Sequence, residues 1–76
     1  MYTYFIADDE TKIRQGLRQL IDWEELGFYC VGEASNGEEA LAAILEKKPD
    51  VALLDIRMPR LSGLEVARLA RERKCE

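Results

Sequence analysis

Asp55 closes the apolar run Val51-Ala52-Leu53-Leu54 and opens the turn Asp55-Ile56-Arg57-Met58-Pro59, while Asp8-Asp9-Glu10 follow a second run, Tyr4-Phe5-Ile6-Ala7. A carboxylate just past a buried strand has left the core for the rim of a sheet, where α/β folds place their chemistry. If the two strands are parallel neighbours, three or four carboxyl groups share one small volume. Two unit charges about 4 Å apart repel by roughly 4 kcal/mol at an effective dielectric of about 20. Raised carboxyl pKa values with a shared proton would offset this, and so would a bound cation, for which hard oxygen donors suit Mg²⁺. The chain has no His, and Cys30 and Cys75 are far apart, which argues against zinc. The acids therefore read as a Mg²⁺ or Mn²⁺ site, with Asp55 as either ligand or nucleophile.

The 76 residues carry a formal net charge of −4 and 47% hydrophobic content, which bounds the chain to one small globular domain. A domain of about 60 residues buries only about 60% of its unfolded surface, so stability is marginal at this length. The acidic balance argues against nucleic-acid binding by this segment, because phosphate contacts need clustered Lys and Arg. The basic group Arg68, Arg71, Arg73 and Lys74 is interrupted by Glu72 and reads as a solvated helix end. Cys30, within Phe28-Tyr29-Cys30-Val31, is expected to be a small buried hydrophobe, and Cys75 is expected to be exposed. No disulfide framework, signal-peptide pattern or run near the roughly 20 apolar residues of a membrane span is found, so a cytoplasmic location is expected.

Two periodicities alternate along the chain. Residues 3–7 form a short apolar run; Ile13, Leu17, Leu20 and Ile21 then recur at helical spacing from a start near Glu10-Thr11, with Lys12, Arg14, Arg18 and Gln19 on the other face. Trp23 is expected to pack in the connection that follows. Phe28 to Ala34 is a second strand, and Ser35 or Asn36 can cap a helix carrying Ala40, Leu41, Ile44 and Leu45. Lys47-Lys48 suits that helix's negative end, and Pro49 stops it. Asp50 to Leu54 is the third strand, and a last helix begins at Ser62 with Leu64, Ala67, Leu69 and Ala70 available for packing. The order β-α-β-α-β-α with short connections indicates a parallel doubly wound sheet. For the acids after the first and third strands to meet, those strands must be neighbours, which gives the order 2-1-3 with the ligand at the point where strand order reverses.

Three segments at this spacing resemble the response-regulator receiver domain of two-component signalling, a flavodoxin-like fold: Phe5-Ile6-Ala7-Asp8-Asp9-Glu10, Ala34-Ser35-Asn36-Gly37-Glu38-Glu39-Ala40-Leu41, and Asp50 to Pro59 with Gly63 behind it. Ile21 to Phe28 further resembles regulators whose receiver precedes an AraC-type helix-turn-helix output domain. The resemblance implies that Asp55 is the phosphoacceptor, attacking a phosphohistidine of a sensor histidine kinase, in a protein that controls transcription. It implies that Asp9 and Asp55 ligate Mg²⁺ directly, that Asp8 holds it through water, and that the main-chain carbonyl of Arg57 is the third protein ligand. Pro59 and Gly63 shape the loop after Asp55, and Glu10 belongs to the helix start. On this reading the domain is no enzyme beyond Mg²⁺-dependent autophosphorylation from a phosphodonor.

Receivers of this family continue with two more strands and helices, bearing a Ser or Thr and a Lys that complete the site. Residues 1–76 hold only the first three βα units, so a partial receiver domain is expected. The third strand would then be an edge with unpaired backbone groups, which points to a homodimer or domain-swapped oligomer through that strand. Two other functions compete with phosphoacceptance: a non-catalytic half-receiver that self-associates or binds a partner, and an acid-dependent phosphatase of the haloacid-dehalogenase type. The second expects an Asp two positions after the nucleophile, where Arg57 stands.

Overall fold

The computed structural model describes residues 1–74; the expected exposure of Cys75 lies outside them. The apolar run at the start forms β1 (Tyr2–Ala7), and four successive residues, Tyr4 to Ala7, are buried. Burial on both faces is the signature of a central strand in a parallel sheet, which needs apolar side chains without alternation. β1 is flanked by β2 (Phe28–Ala34) and β3 (Val51–Leu54), both parallel to it, in the order β2-β1-β3. The topology read from the position of the acids is therefore the one observed.

The pairing of β1 with β2 contains one irregularity. Tyr4 pairs with Cys30 and Phe5 with Gly32, so Val31 is an extra residue in β2. The bulge leaves Cys30 half-buried rather than buried as expected, and its thiol donates to the Gly32 carbonyl at 3.3 Å. The Val31 carbonyl accepts a 2.9 Å hydrogen bond from Nζ of Lys47.

Three helices connect and cover the strands: α1 (Thr11–Leu20), α2 (Gly37–Lys47) and α3 (Gly63–Lys74). Asn36 caps α2 by accepting the Glu39 N–H at 2.9 Å, and Lys48 ends it in a left-handed conformation with φ of 48°. Ser62 starts α3 with a capping box: its Oγ accepts the Glu65 N–H at 3.2 Å, while the Glu65 carboxylate accepts the Ser62 N–H at 3.0 Å.

The main core lies between the sheet and the α2/α3 layer. Phe5, Ala7 and Ala34 meet Ala40, Leu41 and Ile44 of α2, Val66 and Ala70 of α3, and Met58 of the intervening loop. The α2 positions are those expected. In α3 the buried stripe is Val66 and Ala70 with Leu69 beside them, whereas Leu64 and Ala67 are exposed. Starting the helix at Gly63 puts Val66, three and four residues before Leu69 and Ala70, on the inward face.

Along β1, Tyr4 and Ile6 alternate to the opposite face, on the side of α1. Tyr4 stacks on Trp23 at a centroid distance of 4.1 Å, and the Trp23 indole N–H donates to the Leu17 carbonyl at 3.0 Å. Trp23 is thus a packing residue, as its position suggested. The expected packing face of α1 needs correction: no residue of α1 is buried, Leu20 is 86% exposed and Ile13 43% exposed. Among the described residues two helices cover one face of the sheet and α1 alone lies on the other, so its apolar stripe has only part of a surface to meet. Arg14 and Arg18, assigned by periodicity to the solvent side, instead bind Glu33 of β2 at 2.9 and 2.7 Å.

Candidate functional site

The rim at the C-terminal ends of β1 and β3 is assembled by strand register. Ala7 pairs with Leu54, the Asp55 N–H extends the ladder to the Ala7 carbonyl at 2.9 Å, and the Asp8 N–H reaches the Ala34 carbonyl at 3.1 Å. Asp8 and Asp55 therefore leave adjacent strands at the same level. Both line a cavity of about 220 Å³ together with Ala7, Leu17, Leu53 and Leu54.

Asp8 is 8% exposed, a buried charged residue, and its carboxylate accepts the Glu10 N–H at 2.9 Å. That bond folds the turn between β1 and α1 back on itself, while the side chain at the helix N-cap position, Glu10, makes no capping bond. Asp9 and Glu10 are exposed, and one carboxylate oxygen from each of Asp8, Asp9 and Glu10 lies within 4.8 Å of the others. Among the described residues none of these acids, nor Asp55, is ion-paired. Three unneutralised carboxylates at this separation fit a hard divalent cation, whose oxygen preference they match. Asp55 is half-buried and stands outside this triplet; one of its carboxylate oxygens faces the Arg57 N–H at 3.4 Å. The Arg57 side chain is exposed.

The loop from Asp55 to Gly63 is held very close to itself. A Cβ at Gly63 would sit 2.1 Å from the Asp55 carbonyl oxygen and 2.8 Å from its carbonyl carbon, and the Gly63 N–H donates to Ile56 at 3.1 Å. Gly63 is therefore a packing requirement of the loop that carries Asp55, which gives physical content to its expected shaping role.

Arg14 is the residue at this rim that sequence reading placed wrongly. Its guanidinium donates to the Asp8 carbonyl and to Glu33, and Arg18 donates to the other oxygen of Glu33. Arg18 first, then Arg14, hold the Glu33 carboxyl below its usual range against the opposing effect of burial. Glu33 in turn pushes Arg18 further up. Burial pushes the Tyr4 phenol up, against the lowering effect of Arg18. Glu33 is 19 residues from Arg14, so no local pattern announces the network.

The chain matches the response regulator receiver domain family over residues 4–76. It belongs to that family. The receiver domain of AraT, a response regulator from Geobacillus stearothermophilus, superposes on this receiver with a TM-score of 0.89 and 45% identity, over 93% of this chain and 55% of that one. A CheX–CheY–BeF₃–Mg²⁺ complex from Borrelia burgdorferi gives a TM-score of 0.80 at 26% identity, over 97% of this chain and 56% of that one. The transcriptional regulatory protein YesN of Bacillus subtilis is 42% identical over 66 residues, 87% of this chain but 18% of YesN. This receiver thus spans about half the length of the solved chains it matches, and a smaller share of YesN. Its three-stranded parallel sheet in the order 2-1-3 is the flavodoxin-like fold of those relatives in part.

Proposed function

We propose that this receiver accepts a phosphoryl group on Asp55 from the phosphohistidine of a sensor histidine kinase, as the switch of a transcriptional regulator. The observation that carries this is the register of β1 with β3, which puts Asp55 beside the Asp8-Asp9-Glu10 turn on one rim. A carboxylate oxygen of Asp55 attacks phosphorus, the bond from phosphorus to the kinase's imidazole nitrogen breaks, and an acyl phosphate forms as the imidazole leaves. Asp9, Asp55 and the Arg57 carbonyl would hold Mg²⁺ or Mn²⁺, with Asp8 acting through water. When bound, the cation neutralises charge on the transferring phosphoryl oxygens and on the clustered acids. Asp8 is fixed for that task by its bond to the Glu10 N–H, and Arg14 steadies the backbone of the same turn from α1. The Mg²⁺ and BeF₃ named with the Borrelia complex support a reading in which a cation and a phosphoryl-like group act together on a receiver.

Incubation with acetyl phosphate and Mg²⁺ followed by intact-mass measurement tests the reading. One added phosphoryl group on the wild type and none on Asp55→Asn is the expected result. An equal gain on both proteins, or none on either, would overturn it.

A second reading, of a non-catalytic module that self-associates, is favoured by β3. Its outer edge has no partner strand among the described residues, Val51 on it is 38% exposed, and Ile56 just beyond is 61% exposed. Antiparallel pairing of two copies along this edge would satisfy the free backbone groups and make one six-stranded sheet. Light scattering should then give a dimer at micromolar concentration; a stable monomer would remove this reading.

A further inference from the structure

The start of α2 and the loop that carries Asp55 are in contact at unusually short range. Gly37, the first residue of α2, has one of the free N–H groups every helix leaves at its start, and that group donates to the Pro59 carbonyl at 3.2 Å. A Cβ at Gly37 would lie 2.1 Å from the carbonyl oxygen of Leu61, 2.4 Å from its Cβ and 2.6 Å from its carbonyl carbon. Two of these three atoms are backbone, so no side-chain rotation could make room. One residue further on, Glu38 accepts from the Arg60 guanidinium at 2.9 Å. Arg60 itself has a φ of 76°, an uncommon conformation for a residue with a Cβ. Pro59, Arg60 and Leu61 are thus all held by the first two residues of α2.

The other end of the same loop is fixed by Gly63 against the backbone of Asp55 and Ile56. Asp55 stands at this second grip, and between the two grips lie Arg57 and Met58, the last buried in the core. We propose that the α2 N-terminus, through Gly37, is a positioning element for the cation site: it sets the backbone course on which the Arg57 carbonyl and the Asp55 carboxylate depend. This rests on the Mg²⁺ reading given above. Asn36 supports it from the other side, since its cap on Glu39 fixes where α2 begins and so where Gly37 stands. The coupling is reciprocal: whatever orders the loop must also order its bond to Gly37.

Two measurements test the proposal. In the first, Mg²⁺ affinity is measured by calorimetry for the wild type and for Gly37→Ala. Ala is a better helix residue than Gly, so any loss reports the loop contact rather than the helix. The expected result is affinity weakened by about ten-fold or more, the scale typical of lost supporting contacts around a metal site. Amide resonances of α1 and β2 should stay in place. In the second, made on the wild type so that folding of a variant is not at issue, hydrogen exchange at the Gly37 amide is followed with and without Mg²⁺. Mg²⁺ should slow that amide at least several-fold. Mg²⁺ binding by the wild type with unchanged affinity in Gly37→Ala, or with unchanged exchange at Gly37, would overturn the proposal while leaving the metal reading intact. No Mg²⁺ binding by the wild type would overturn both.

Discussion

Replacing Gly63 by Ala should damage phosphoryl acceptance far more than its size suggests. The added Cβ would meet the Asp55 carbonyl oxygen at 2.1 Å, whereas real Cβ atoms essentially never approach another heavy atom closer than 3.0 Å. The loop must therefore open by about 1 Å at Asp55, the proposed acceptor, and a misplacement of that size costs on the order of 100-fold in rate. Because the opposing atoms are backbone, the strain is also paid in stability, at about 1–3 kcal/mol for an overpacked site. Gly16→Ala supplies the control: nothing lies within 4 Å of a Cβ there, and the position is interior to α1. That change should stabilise by about 0.5–1 kcal/mol through helix propensity alone. The assay is the initial rate of mass gain with acetyl phosphate and Mg²⁺, paired with urea denaturation of both variants. A Gly63→Ala protein that is phosphorylated at the wild-type rate, with an unchanged denaturation midpoint, would refute the claim that this contact positions Asp55.

Glu33 gives a pH prediction with a definite sign. Its folded-state carboxyl is held down by Arg18 and Arg14, so its contribution to stability is present above the ordinary Glu value of 4.5 and is lost as pH falls through the lower folded value. The urea midpoint of the wild type should therefore drop below pH 4.5 more steeply than that of Glu33→Gln, and superimposable acid limbs would contradict this. Asn36→Ala removes the cap on Glu39 and should cost about 1 kcal/mol, measured by the same denaturation curves. Phe5 is 1% exposed at the centre of the main core, and Phe5→Ala should cost about 3–5 kcal/mol, enough to leave so small a domain largely unfolded by circular dichroism.

Much of this architecture is legible locally. The apolar run at Tyr4 to Ala7, the cap residue Asn36, the stop at Pro49 and the burial of Ala40, Leu41 and Ile44 all follow from patterns within a few residues of each feature. The strand order follows from one further step, the need to bring the acids after β1 and β3 together. What local pattern misjudged depends on what lies across a gap. Leu20 has the right period for a core residue, but among the described residues it is left 86% exposed. Val31 in the bulge, Arg14 on Glu33 and Gly37 against Leu61 each depend on a partner many residues away.

Residue types and spacing alone thus determined which side chains could do chemistry: Asp55, with Asp8 and Asp9, at the ends of two apolar strands. They also carried the family resemblance, because its motifs are short runs that end in carboxylates and turn residues, which spacing along the chain displays. The tertiary structure decided how those groups are held. Asp8 is buried and bonded to Glu10, Asp55 stands apart from the acid triplet, and two glycines allow backbone to touch backbone around the loop between them. Those are contacts between segments distant in sequence, set by strand register and helix placement, and no local pattern of residues encodes a distance across the fold.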